Sequence, residues 1–105
     1  MSVTFTDTIE SKQVINGALT AVGFTPLPFK PVPVRGFNVS LWGTFVGSVS
    51  LFRSFDGGVT LLPVTGVGPW TAPVSIQTNE PEYGVQYFLD VTAFTSGTIN
   101  YRLSQ

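Results

Sequence analysis

The chain has 105 residues and a mass of 11.3 kDa, with 10% charged residues, a net charge of -1 and a mean hydropathy of +0.30. That is the length of one domain able to bury a single core without staples, yet it carries well under half of the ~25% charge typical of soluble domains. There is no basic footprint for nucleic acid, and Gly or Pro interrupts every stretch before the ~20 apolar residues of a membrane helix. The lack of Cys and His removes disulfides, thiolate nucleophiles, zinc-type metal sites and the commonest general base. A protein that is not an enzyme, has no cofactor and binds neither nucleic acid nor membrane is expected.

The start, Met1 to Asp7, has no basic region, apolar run or small-residue cleavage pattern, so synthesis without export is expected. Val3 and Phe5 alternate into Ile9, and Asn16-Gly17 between Val14-Ile15 and Ala18-Leu19 predicts a small hairpin. Pro26, Pro28, Pro31 and Pro33 follow within Thr25 to Val34, a segment that cannot donate regularly to a central ladder and predicts an extended edge or connecting arm. Residues 1–35 are thus expected to form an arm and hairpin packed on a body spanning 36–105, all in one domain.

In that body Phe37, Val39 and Leu41 alternate with Asn38, Ser40 and Trp42, which predicts a strand ending at Gly43. The stretch Gly43 to Gly47 then predicts a tip exposing Phe45 and Val46. Ser48 to Phe55, Asp56-Gly57 and Gly58 to Val64 read as a two-residue hairpin that sets Val49 against Val64, Leu51 against Leu62 and Arg53 against Thr60. Val74 to Thr78 supplies another strand. Glu80-Pro81-Glu82 reads as a solvated turn: it offers too few oxygens for calcium and no cleft for a glycosidase pair.

The last two strands, Val85 to Phe94 and Thr98 to Ser104, predict a closing hairpin through Thr95-Ser96-Gly97, with Gly97 in the left-handed position. Its register sets Ala93 against Ile99, Val91 against Tyr101 and Leu89 against Leu103. Asp90 then faces Arg102 in a cross-strand pair worth ~0.2–1 kcal/mol. About seven to nine short strands at roughly ten-residue spacing predict an all-β fold, an antiparallel β-sandwich of immunoglobulin- or fibronectin-like build.

Two further features bear on function. Ser54 to Leu61 resembles the Asp-box of sialidase-type propellers, with Leu61 in place of the final Trp. Such a box is a local device in which Ser54 and Asp56 hold turn amides while Gly57 or Gly58 takes positive φ. One box in a chain too short for several blades implies no glycosidase activity. The second feature is that Phe88 and Phe94 share a nominally polar face with Asp90 and Thr92, Trp42 with Asn38 and Ser40, and Phe52 with Ser50 and Ser54. A solvated face should be polar, so these rings either lie under the N-terminal arm and the Trp70 loop or meet another chain.

Three segments also carry a family likeness: Val39 to Val49, Arg53 to Gly58 and Thr92 to Arg102. With their Gly-Thr-φ-x-Gly turn, Arg-Ser-Phe-Asp-Gly-Gly hairpin and Thr-Ser-Gly-Thr closing turn, they resemble small virion structural proteins of tailed bacteriophages. The likeness covers about residues 36–105, and the family's frequent Trp after the Asp-Gly-Gly turn is Leu61 or Leu62 here. It implies a virion component without fixing its place in the particle, and the first reading of that place is a capsid decoration or cement protein that works as an oligomer. Its partners would be the major capsid protein or other virion subunits, with Phe45, Val46, Trp42, Pro26, Pro28, Pro31 and Pro33 as candidate contacts. A tail or head-to-tail accessory subunit is the alternative. A carbohydrate-binding module using Trp42, Trp70 or Tyr83 as a stacking platform is a third reading.

Overall fold

The computed structural model describes residues 13–33 and 35–105, so the Val3, Phe5 and Ile9 alternation lies outside the described residues. The described chain is all β, with eight strands: β1 (Val14–Leu19), β2 (Gly23–Phe24), β3 (Gly36–Trp42), β4 (Phe45–Ser54), β5 (Leu62–Pro63), β6 (Val74–Asn79), β7 (Gln86–Gly97) and β8 (Ile99–Ser104). They form two antiparallel four-stranded sheets, ordered β1-β8-β3-β6 and β2-β7-β4-β5. The pairings β1·β8, β2·β7, β3·β6 and β4·β5 nest inside one another, like a long hairpin closed at β4–β5 and then rolled up. The contacts β8·β3 and β7·β4 join its successive turns. This is the order of an eight-stranded jelly roll.

The immunoglobulin- or fibronectin-like build is therefore corrected, because it would put the two closing strands in one sheet. Here β7 and β8 lie in opposite sheets and make no hairpin. Asp90 stands against Ser50 and Phe24, and Arg102 against Asn16 and Ser40, so the two are not a cross-strand pair. The alternation in each strand correctly separates an inner from an outer side. It carries no information about which strand lies alongside, and both apolar sides face the same core.

That core takes Phe37, Val39, Leu41, Ile99, Tyr101 and Leu103 from one sheet and Val49, Leu51, Tyr87, Leu89 and Val91 from the other. The register between β4 and β7 slips between Ser48 and Val49 and again between Val46 and Gly47. At the first slip Thr92 is an extra residue on β7. Such a bulge reverses the sidedness of the residues beyond it, so Ala93 faces solvent and Phe94 turns back to pack on the core.

Three further expectations change. Asn16-Gly17 makes no turn but lies mid-strand in β1, opposite Arg102 and Tyr101. A Cβ at Gly17 would sit 3.0 Å from the Tyr101 hydroxyl, so the glycine is there to let that ring pass. The Pro-rich stretch narrows from an edge or a connecting arm to the first, an extended edge tied to β7. Thr25 N–H donates to the Leu89 carbonyl (2.8 Å), Phe29 exchanges two bonds with Tyr87 (2.9 and 2.8 Å), and Pro31 and Pro33 are buried. The β4–β5 register is shifted by two residues, with Arg53 against Leu62 and Phe52 against Pro63. An even shift keeps each side chain on its expected face.

Candidate functional site

The outward face of the β2-β7-β4-β5 sheet carries an aromatic strip. Phe52 stands directly opposite Phe88, and Phe24 lies edge-on to both, with ring centroids 5.4 Å from Phe52 and 6.5 Å from Phe88. Edge-to-face pairs of this kind contribute roughly 0.5–1.5 kcal/mol beyond simple burial. They do not remove the rings from water: Phe24 is 44% exposed, and Phe52 and Phe88 are half-buried. Gly58 covers one edge of Phe88, where a Cβ would come within 3.3 Å of the ring. Asp90 sits beside Phe24, and partial burial raises its carboxyl pKa above the ordinary value.

The expected contact residues divide. At one end of the sandwich the β3–β4 and β7–β8 crossovers touch backbone to backbone. Thr98 N–H donates to the Thr44 carbonyl (2.9 Å), a Cβ at Gly43 would lie 2.6 Å from the Thr98 carbonyl oxygen, and one at Gly97 would lie 2.7 Å from Phe45 Cα. The tip is therefore Gly43-Thr44. Phe45 folds inward onto the core, which corrects its expected exposure, while Val46 remains outside. Trp42 is exposed on the other sheet's outward face. Of the prolines, Pro26 is exposed, Pro28 half-buried, and Pro31 and Pro33 are buried and closed to any partner. Trp70 is half-buried, bonded through its backbone to Val49 and packed on the core, whereas Tyr83 projects from a loop. No family model matches this chain, and neither does any curated protein sequence.

Two polar clusters organise the β4 end. Ser54 Oγ donates to Asp56 Oδ1 (2.7 Å) and accepts from Gly58 N–H (2.8 Å), while Thr60 N–H donates to Asp56 Oδ1 (2.8 Å). Gly57 and Gly58 take φ of 78° and 96°, which lets the loop wrap round the serine. The Thr60 N–H, then Ser54, pull the Asp56 carboxyl down from 3.8 to about 2.

The second cluster overturns the solvated-turn reading of Glu80, which is 1% exposed. Its carboxylate takes an ion pair from Arg53, a hydrogen bond from the Tyr87 hydroxyl (2.8 Å) and one from Glu82 N–H (3.1 Å). Burial, then the bond to Glu80, pushes the Tyr87 hydroxyl pKa well above its ordinary value. The Arg53 guanidinium lies 4.7 Å over the Phe55 ring, a cation–π contact, and its buried Nε has no acceptor among the described residues. The signal for this cluster is Arg53 itself, which shares parity with Val49 and Leu51 and so must enter the interior with a carboxylate partner. Phe24, in a two-residue strand, gives no periodic signal at all. The described residues contain no group of three His, Cys, Asp or Glu able to hold a metal, and no helix long and apolar enough to cross a membrane.

Proposed function

We propose that this chain is a non-enzymatic structural subunit of a tailed-phage particle, a decoration or cement protein that docks on the assembled capsid shell as an oligomer. The observation that carries this reading is the aromatic strip Phe24, Phe52 and Phe88 on a sheet face turned away from the core. Aromatic residues enriched on a face poor in charge are the composition of an interface centre. The virion-protein likeness of residues 36–105 supports other particle subunits as partners, and the decoration reading takes the major capsid protein among them. By analogy, jelly rolls serve as viral capsid and lectin domains, an association of folds that does not itself assign a role.

The mechanism is mass action. Rings that are wet on the free subunit become buried only where coat subunits stand side by side, so binding stabilises the assembled shell over its parts. The test is cosedimentation of the purified protein with shells lacking it. The wild type should pellet with the shells and raise their disruption temperature, whereas Phe24→Ser/Phe52→Ser should stay in the supernatant while keeping its own fold. Failure of the wild type to pellet would sink the proposal, and pelleting with tail tubes instead would move the protein to the tail.

A further inference from the structure

We propose that the outward face of the β1-β8-β3-β6 sheet is a glycan-binding site, with Trp42 as its stacking platform. This inference is independent of the docking reading and uses the opposite side of the molecule. Trp42 is 48% exposed and pairs directly with Asn100, whose own neighbour across β8 is the small Ala18. Beyond Trp42 the chain continues as Gly43 at φ 111°, so the next residue adds no side chain beside the ring. One rung along, Asn16, Arg102, Ser40 and Ser75 stand in a row across all four strands. On the next, Val14, Ser104, Asn38 and Gln77 form a second full row, with Val14 exposed at its edge.

The chemistry of this face is narrow. Asn16, Asn38, Gln77 and Asn100 each offer both donors and acceptors, and Arg102 is the single charge among them. Ser40 and Ser75 satisfy one another (Oγ to Oγ 2.9 Å), whereas the amide side chains and Arg102 make no hydrogen bond within the described chain. A sugar ring has a matching surface: an apolar C–H side that stacks on indole, and a rim of hydroxyls that both donate and accept. Trp42 followed by neutral amides meets both parts without desolvating a buried charge. A nucleic acid would find one cation only, and an apolar protein surface would find Trp42 and the edge residue Val14 separated by polar side chains.

The face is also long enough. From Trp42 to Gly36 the strand runs about 20 Å at ~3.3 Å per residue, and it ends in a shallow depression of about 340 Å³ lined by Gly36, Gln77, Thr78 and Asn79. A chain of several sugar rings can lie along it, with one ring on Trp42 and its far end in that depression. Arg102, midway, is placed to take either a vicinal diol or the carboxylate of an acidic sugar.

The experiment presents the full chain to an array of defined oligosaccharides: neutral hexose and N-acetylhexosamine chains beside their uronate- and sialate-bearing counterparts. Binding is expected on the array and is followed in solution by tryptophan fluorescence in a Trp70→Phe background, where Trp42 is the sole reporter. Trp42→Ala and Asn100→Ala should each weaken binding about tenfold, the scale of one lost aromatic stack with its contact area, with unchanged melting temperature. Phe24→Ser should bind as wild type. A preference for acidic chains that Arg102→Gln abolishes assigns the carboxylate to Arg102, and equal binding of both sets assigns diol recognition. An array with no bound chain, binding that survives Trp42→Ala, or binding lost instead with Tyr83→Ala would overturn the site.

Discussion

Replacing Gly97 with Ala tests whether the paired crossovers lock the two sheets together. Gly97 has φ of 95°, a conformation that costs an L-residue about 1–2 kcal/mol. A methyl there would also be driven between the Thr44 carbonyl and Phe45 Cα, the latter 2.7 Å away. Both obstacles are backbone, so no rotamer relieves them. The crossovers must part, giving up the Thr98 N–H to Thr44 carbonyl bond at about 1 kcal/mol net, with packing strain of about 1–3 kcal/mol. The sum is about 3–6 kcal/mol, a large part of the ~5–15 kcal/mol that holds a domain folded. At roughly 4 °C per kcal/mol, the low end for a domain of this size, Tm falls by about 12–24 °C. Gly66→Ala is the control, because its φ is 84° but no atom lies within 4 Å of the added Cβ. That substitution should lose only the backbone cost, about 1–2 kcal/mol. Calorimetry with urea melts at unchanged m-value measures both. Equal losses in the two variants would refute the claim that the crossing, rather than the φ angle, sets the cost.

Three other outcomes are expected from the interior and the turn. Arg53→Met strands the Glu80 carboxylate inside; since the guanidinium is 30% exposed and partly screened, the cost is near the low end for a broken buried pair, about 2–3 kcal/mol. Arg53→Met/Glu80→Leu should recover part of that loss in urea melts. For Asp56, a carboxyl held at about 2 against 3.8 stabilises the fold above the unfolded value, and that contribution is lost as pH falls through the folded one. The Tm gap between wild type and Asp56→Ala should therefore be constant above about pH 5 and shrink steadily from there to pH 2. Deleting Thr92 removes the extra residue that turns Phe94 inward, and should expose that half-buried ring at a cost of about 1–2 kcal/mol, seen as lower stability and new dye binding.

The sequence makes sidedness legible and leaves connectivity hidden. Phe37, Val39 and Leu41, Leu89 and Val91, and Ile99, Tyr101 and Leu103 all point inward as their alternation requires. The partner of β8 is β1 on one side and β3 on the other, because chemically compatible pairs exist for several arrangements and hairpin proximity favours the wrong one. Gly97 looks the same in a tight hairpin as in a crossover between sheets. Phe94 defeats the alternation through a bulge that leaves no mark in composition. Glu80 is hidden because its burial is decided by an arginine far away along the chain, on β4, and Phe24 because a two-residue strand has no period to read.

The scarcity of charge that marks the chain has a spatial explanation. Arg53 and Glu80 neutralise one another inside, and Asp56 is tied into its turn. The two outward sheet faces then carry one charge each, Arg102 on the first and Asp90 on the second. The remaining positions are filled differently on each face: Asn, Gln and Ser beside Trp42 on one, Phe beside Ser on the other. Neither composition is what solvation alone would select, since an antiparallel face left to water ordinarily takes Lys and Glu. A hydrophobic partner gains from the phenylalanine face and a hydroxyl-rich one from the amide face, so the two proposed sites do not compete for surface. Phe24→Ser/Phe52→Ser should accordingly abolish shell binding and Trp42→Ala weaken glycan binding about tenfold, each leaving the other activity intact.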